Sequence, residues 1–192
     1  MRKELIDLDT AILTARTVVR RFRENEGVQL YDLFHANRAL LIDNFPKTDR
    51  AMATREQAEQ YIRQTICDWL FHKDFTFGIW DNESARLVGF IRIFNLDWDV
   101  PKAEISYFID KDFGGKGLMT EALTAVLELA FRRMKIAKLY IRTATDNYGS
   151  QRVARKLGFR REGDFRGDFR TPSGDLIDTM LFGLTAVDSG LV

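Results

Sequence analysis

A glycine-rich segment in the second half of the chain has the composition of an anion-binding turn. Residues 113–123 read FGGKGLMTEAL, and Gly114, Gly115 and Gly117 lack the Cβ that would keep a ligand away from the main chain. The residues that follow have the pattern of a helix, and the first N–H groups of a helix have no partner within it. Such groups favour anions, typically phosphate. The sequence therefore predicts a phosphate-binding turn, in which Lys116 adds a positive charge.

Two familiar nucleotide-binding patterns do not fit this turn. A Walker loop would place a first glycine where Asp110 stands and a magnesium-binding Ser or Thr where Gly117 stands. A dinucleotide fingerprint would require its third glycine at Thr120. A third interpretation is a tight strand-to-helix turn with no ligand, but three glycines exceed what a turn requires.

The segments on either side of the turn predict a βαβ unit that positions it. Residues 103–110, AEISYFID, alternate between two faces as a strand does, with an apolar core face and a second face that holds Glu104. A mostly buried helix is expected over residues 118–134, and KLYIRTAT at 138–145 is a second strand. A right-handed crossover would make the two strands parallel. The single polar stripe of the helix consists of Glu121, Thr124, Glu128, Arg132 and Lys135.

The other segments predict strands and helices around this unit. In chain order they are a β-rich start at 14–22, a helix at 26–41, a helix from an N-cap at Thr54 to about His72, a hairpin of 75–80 and 87–94, a short helix at 150–157 closed by Gly158, and a closing hairpin of 159–169 and 175–185. No repeat or linker divides the chain, so a single domain over 1–192 is expected.

Composition narrows the classes of function. The chain is 45% hydrophobic and 30% charged with a formal net charge of +1, so we expect a folded protein that binds neither nucleic acid nor membrane. Cys67 is the only cysteine, and His35 and His72 are the only histidines, so no disulfide and no metal site are expected. With no signal-peptide pattern and no membrane span, a cytoplasmic location is expected.

Two segments together resemble a known family. GGKGLMTEAL, followed about thirty residues later by DNYGSQRVARKLGF, resembles the GNAT superfamily of N-acetyltransferases, and most closely its RimJ/RimL-type branch. The resemblance covers residues 16–184. It implies a mixed α/β fold whose mostly antiparallel sheet contains one parallel, splayed strand pair, with helices on both faces. The chain departs from the superfamily pattern Q/R-x-x-G-x-G/A, because Gly114 stands at the Gln/Arg position and Met119 at the last one.

The resemblance also implies a binding site for acetyl-CoA. In the family the pyrophosphate lies on the glycine turn, and the pantetheine arm pairs like an extra strand between two splayed strands. An oxyanion would be stabilised by N–H groups near the end of the first of these strands. The residues implied in cofactor binding are Phe108, Ile109, Gly114, Gly115, Lys116, Gly117, Leu118, Met119 and Asn147. On sequence alone, Asn147 could equally be a turn or N-cap residue.

Two residues are the candidates for catalysis. Family members with a glutamate on this strand suggest that Glu104 draws the proton from the amine, and the serine of the family's N-x-x-S pattern corresponds to Ser150, which would assist the leaving thiolate. Glu104 could instead be a solvated strand residue, and Ser150 could be only an N-cap.

The expected activity is direct acetyl transfer from acetyl-CoA to a primary amine in a ternary complex, most readily an N-terminal α-amine of a protein or peptide. The alternatives are a small-molecule amine as acceptor, a CoA-binding module without catalysis, and a phosphate-transfer protein. A homodimer is the assembly that the resemblance suggests.

Overall fold

The computed structural model describes residues 11–191, apart from the side chain of residue 47, as one eight-stranded sheet with helices packed against it. The strands are β1 Ala11–Leu13, β2 Thr17–Arg21, β3 Phe75–Asp81, β4 Leu87–Asp97, β5 Lys102–Ile109, β6 Lys138–Ala144, β7 Arg160–Arg170 and β8 Leu176–Thr185. The helices are α1 Gly27–Ala36, α2 Arg38–Leu41, α3 Pro46–Ala51, α4 Arg55–Leu70, α5 Leu118–Glu128, α6 Tyr148–Lys156 and α7 Ala186–Ser189.

The order of the strands confirms the predicted fold class. It runs β1-β2-β3-β4-β5-β6-β8-β7, and every neighbouring pair is antiparallel except β5 and β6. Both predicted hairpins are present, as β3–β4 and β7–β8. None of the helices described combines the length and the apolar character needed to cross a bilayer.

The parallel pair β5–β6 separates soon after it forms. Its register runs only from Lys102 opposite Lys138 to Glu104 opposite Tyr140, whereas β5 continues to Ile109. The far edge of β6 stays paired with β8 along its whole length. The second half of β5 therefore has a free edge that faces a gap in the sheet.

Hydrophobic clusters cover both faces of β5, and this differs from the predicted strand with one core face. Ile105 lies in a cluster with Ala122 and Val126 of α5, and Phe108 lies in a second cluster with Phe34 of α1. Because successive side chains of a strand point to opposite faces, Phe108 shares its face with Glu104. Helix α1 therefore packs on this face at Phe108, whereas Glu104 on the same face lines a cleft.

The local predictions for the helices were confirmed in most respects. The Thr54 side chain accepts a hydrogen bond from the Gln57 N–H (3.2 Å) as an N-cap, and Gly158 has a φ of +86° after α6. The expected helix at 26–41 instead breaks at Asn37, which is buried and accepts a hydrogen bond from the Lys111 N–H (3.0 Å). The expected helix from Leu118 continues past α5 as a π-helical turn over Leu129–Arg133.

Candidate active site

The glycine turn presents a row of free N–H groups at the start of α5. Gly115 and Gly117 have φ values of +73° and +81°, which L side chains rarely adopt. Gly117 is the N-cap of α5, with no side-chain cap. Within residues 11–191, the N–H groups from Gly115 to Thr120 have no hydrogen-bond acceptor in the protein. The turn can therefore bind an anion through its main chain.

A cleft of about 840 Å³ runs from this turn to the N-terminus of α6. It is lined by nine of the candidate residues: Phe108, Ile109, Gly114, Gly115, Gly117, Leu118, Met119, Asn147 and Ser150. So do three basic residues that the sequence analysis missed, Lys111, Arg152 and Lys156. Only one feature of the sequence indicated these residues: Arg152 and Lys156 are four residues apart and so share one face of α6.

The side chain of Lys116 lies elsewhere. Its Nζ donates a hydrogen bond to the Asp112 carbonyl oxygen (2.7 Å) and lies 5.2 Å from the centre of the Phe113 ring. It lines a separate, shallow depression with Arg16 on the other side of the turn. The structure therefore does not place the predicted lysine charge in the cleft, because the Asp112 carbonyl holds it outside.

The free edge of β5 offers main-chain groups to the same cleft. The Asp110 N–H donates to the Val88 carbonyl oxygen (2.7 Å), and Phe108 pairs with Phe90 in the same ladder. Since hydrogen-bonded and non-hydrogen-bonded pairs alternate in an antiparallel ladder, the Phe108 N–H also points toward β4. The N–H groups that face the gap are those of Tyr107 and Ile109. Of the two strand residues predicted to bind the cofactor, Ile109 thus directs its N–H at the gap, whereas Phe108 directs its N–H at β4.

Asn147 caps α6 and also lines the cleft. Its Oδ1 accepts a hydrogen bond from the Ser150 N–H (3.0 Å), and its Nδ2 donates to Asn44 Oδ1 (3.2 Å). The N-cap role left open by the sequence is thus present, and it belongs to Asn147 and not to Ser150. The second N–H of the Asn147 amide remains able to donate to a ligand.

Ser150 is paired with Tyr107, which packs against the same hydrophobic cluster as Ala103 and Ile105 of β5. The Ser150 Oγ lies 3.1 Å from the Tyr107 hydroxyl, and that hydroxyl donates to the Ser150 carbonyl oxygen (2.9 Å). Burial raises the pKa of Tyr107 to about 12, although the hydrogen bond with Ser150 opposes the shift. Tyr107 therefore stays protonated at neutral pH. One feature of the sequence indicated such a pair, because the hydroxyl of a tyrosine among apolar strand residues requires a hydrogen-bond partner.

Glu104 lies in a second cleft, of about 510 Å³. The residue is only 6% exposed, so it is not a solvated strand glutamate. Its Oε2 accepts a hydrogen bond from Asn95 Nδ2 (2.9 Å) and lies 3.7 Å from a guanidinium nitrogen of Arg142. Nearby Tyr140 has a raised pKa, through burial first and the charge of Glu104 second.

The two clefts meet at the tyrosine–serine pair. Both are lined by Asp43, Asn44, Phe45, Tyr107, Ala144, Asn147, Ser150 and Ile177. The first cleft contains the glycine turn and the second contains Glu104. Within the described residues, no three His, Cys, Asp or Glu side chains form a cluster that could hold a metal ion. The arrangement can hold two substrates that react at a shared boundary.

Comparison with known proteins assigns the chain to a family. The model of the acetyltransferase (GNAT) domain matches residues 16–160. The Probable N-acetyltransferase YjcK of Bacillus subtilis is 37% identical over 143 residues, which cover 73% of this chain and 75% of that protein. The [Ribosomal protein uS5]-alanine N-acetyltransferase of Escherichia coli is 27% identical over 181 residues, which cover 92% and 91% of the two chains.

A solved structure has the same fold. The ribosomal L7/L12 α-N-protein acetyltransferase RimL in complex with coenzyme A has a TM-score of 0.83 and is 22% identical, with 91% of this chain and 97% of that chain covered. The domain match spans well over half of the 192 residues and includes the glycine turn, both catalytic candidates and the splayed strands. The chain belongs to the GNAT family of acetyltransferases, and it is an N-acetyltransferase.

Proposed function

We propose that the protein transfers the acetyl group of acetyl-CoA to the α-amine of a protein or peptide N-terminus, by direct attack within a ternary complex. The observation that carries the proposal is the meeting of two clefts at Tyr107 and Ser150, one with an anion-binding turn and the other with a buried carboxylate. In this proposal the first cleft holds the donor and the second holds the acceptor.

The residues of the first cleft fit acetyl-CoA, which supplies an activated acetyl group and a thiolate leaving group. The unpaired N–H groups from Gly115 to Thr120 would hold the diphosphate, aided by the positive end of α5. Arg152 and Lys156 add positive charge farther along the cleft. The free N–H groups of Tyr107 and Ile109 would bind the pantetheine arm as an added strand and stabilise negative charge that develops on the acetyl oxygen.

The second cleft fits an amine that must lose a proton. An α-amine has a reference pKa of roughly 7.7–8.0, so a weak base is sufficient to remove its proton near neutral pH. Glu104 is three residues before Tyr107 on β5, which is about 10 Å along a strand. Because this distance exceeds the reach of one bridging water, we infer that the Glu104 carboxylate accepts the proton through a short chain of water molecules.

The preference for a peptide acceptor rests on the size of this cleft and on the relatives. The cleft has a volume of about 510 Å³, and its walls include the segment around Phe45 and Pro46 and the hairpin residues Phe169 and Arg170. The E. coli relative acts on the alanine of a ribosomal protein, and the structural neighbour is an α-N-protein acetyltransferase.

Ser150 would stabilise the thiolate by donating a hydrogen bond, and Tyr107 would hold Ser150 in position. A thiol has a reference pKa of about 8.5, so a tyrosine with a pKa of about 12 holds its proton more tightly than the thiolate can. Complete proton transfer from Tyr107 is therefore unfavourable. The Ser150 hydroxyl can turn from Tyr107 toward the sulfur and donate a hydrogen bond, while Tyr107 keeps the serine in place.

Ser150→Ala is expected to lower kcat by about tenfold, because it removes one hydrogen bond to a charged group. The Tyr107 bond to the Ser150 carbonyl oxygen survives this change, so the local structure is retained. The loss should be the same at every pH between 6 and 9, since the serine does not act on the amine. Ser189→Ala, at the end of α7 and outside both clefts, is the control. An unchanged kcat in Ser150→Ala would exclude the thiolate role.

The proposal is tested by measuring free thiol release from acetyl-CoA with peptides that carry free N-termini, the same peptides with blocked N-termini, and small amines. Release with free N-termini alone is expected. Thiol release with small amines alone would mean that the acceptor is a small-molecule amine and not a peptide N-terminus. If no acceptor causes thiol release although CoA binding is confirmed, the result would favour a binding module without catalysis.

A further inference from the structure

Arg16 contacts the glycine turn from the side opposite the donor cleft. Its NH1 donates to the Lys116 carbonyl oxygen (2.9 Å), and its Nε donates to Glu121 Oε2 (2.7 Å). The Arg16 backbone N–H donates to the other oxygen of Glu121 (2.8 Å). One residue in the β1–β2 turn thus connects the glycine turn to the first turn of α5.

The bond to Lys116 fixes the orientation of one peptide unit. In a planar trans peptide the carbonyl oxygen and the following N–H point in opposite directions. Arg16 and Lys116 line the shallow depression on the outer side of the turn, whereas Gly117 lines the donor cleft. When the Lys116 carbonyl is directed at Arg16, the Gly117 N–H is therefore directed at the cleft.

The bond to Glu121 compensates a negative charge close to the predicted anion site. Burial alone would raise the pKa of Glu121, but hydrogen bonds from Thr14 and Arg16 outweigh it and hold the pKa below its usual value. The carboxylate is therefore ionised at neutral pH and lies one turn from the free N–H groups. An unpaired carboxylate there would repel a diphosphate, and the Arg16 guanidinium lies 2.7 Å from it.

We infer that Arg16 is a positioning residue for the donor: it directs the Gly117 N–H at the diphosphate and neutralises Glu121, without touching the donor itself. The inference rests on the proposed function, because it assumes that the turn binds the diphosphate of CoA. It also explains why a solvent-accessible arginine, 49% exposed, makes three specific hydrogen bonds to a segment 100 or more residues away.

The test compares two ligands that share the thiol arm. CoA carries the diphosphate and an adenosine 3′-phosphate, whereas pantetheine carries neither. Dissociation constants for both are measured by NMR titration of the full chain. Arg16→Ala is expected to weaken CoA binding about tenfold relative to pantetheine, as one charge-assisted hydrogen bond and one charge compensation are lost at a half-exposed site. A purely structural role would weaken both ligands equally, and that result would overturn the inference.

Two further variants complete the test. Arg63→Ala is the matched control, since Arg63 is 59% exposed and pairs with a Glu59 carboxylate whose exposure, 22%, is close to the 21% of Glu121. Its ligand preference should equal that of the wild type. Arg16→Lys keeps the charge but cannot span both partners with a planar fork, so a smaller loss of CoA preference is expected. Full wild-type preference in Arg16→Lys would overturn the orienting role.

The affinities of the wild-type protein for CoA and pantetheine distinguish a failure of this inference from a failure of the proposed function. A wild-type protein that binds CoA no more tightly than pantetheine would overturn both the donor site and the role of Arg16. A wild-type preference for CoA that survives in Arg16→Ala would overturn the role of Arg16 alone.

Discussion

Glu104→Gln is expected to lower kcat/KM for acetyl transfer by about 10²–10⁴, the contribution of a general base. The amide has nearly the shape of the carboxylate and can still accept the hydrogen bond from Asn95, but it cannot accept a proton. Arg142 keeps Asp168 as a partner at 3.4 Å, so its charge is not left unpaired. CoA binding should be unchanged, because Glu104 lies outside the donor cleft.

The deficit of Glu104→Gln should depend on pH in one direction. Below the amine pKa of roughly 7.7–8.0 most of the acceptor is protonated and requires a base, so the deficit is largest there. Above that pH most of the amine is already neutral, and the mutant should recover part of its activity relative to the wild type. The measurement is kcat/KM across pH 6–9 with one accepted peptide.

Glu26→Gln is the matched control for this experiment. The Glu26 side chain is also largely buried, 12% exposed, and it is paired with Arg20 away from both clefts. Its kcat/KM should follow that of the wild type. Wild-type activity of Glu104→Gln throughout the pH range would show that Glu104 is not the proton acceptor.

Gly117→Val is expected to weaken CoA binding by about 10- to 100-fold. Gly117 has a φ of +81°, and a β-branched residue there would force the turn to change its conformation. The displaced N–H groups would lose hydrogen bonds to a charged ligand, each of which contributes about 1.5–3 kcal/mol. Calorimetry with CoA on the folded variant gives the affinity.

The control for Gly117→Val must carry similar backbone strain away from the ligand. Gly190→Val meets this requirement, because Gly190 has a φ of +65° at the end of α7 and lines neither cleft. It should lose some stability and keep its affinity for CoA. Wild-type affinity in Gly117→Val would mean that the glycine turn does not bind the phosphates.

Features that depend on local sequence could be predicted. The Thr54 cap, the β3–β4 hairpin and the polar stripe of α5 each follow from a spacing of residues within one element, because hydrogen bonding and amphipathicity have fixed periods. The βαβ pattern also predicted the parallel pairing of β5 and β6, because a crossover helix returns the chain to the end of the sheet where the first strand began.

Features that depend on contacts between distant segments were missed or misread. The packing of α1 on Phe108 was missed because no pattern within β5 shows which helix contacts that face. The hydroxyl pair of Tyr107 and Ser150 joins residues 43 positions apart, and the Arg16 contacts with the turn span 100 or more. Lys116 was assigned to the phosphate because sequence does not show which way a side chain leaves a turn.

The central claim is that acetyl-CoA and a peptide N-terminus react directly across the Tyr107–Ser150 boundary. Mass spectrometry of a peptide with one free α-amine and an internal lysine, incubated with the protein and acetyl-CoA, tests it most directly. We predict one added acetyl group on the α-amine, with one free CoA thiol released for each acetyl group transferred. Acetylation of the lysine with an unmodified α-amine, or thiol release with no acetyl group on the peptide, would contradict the account.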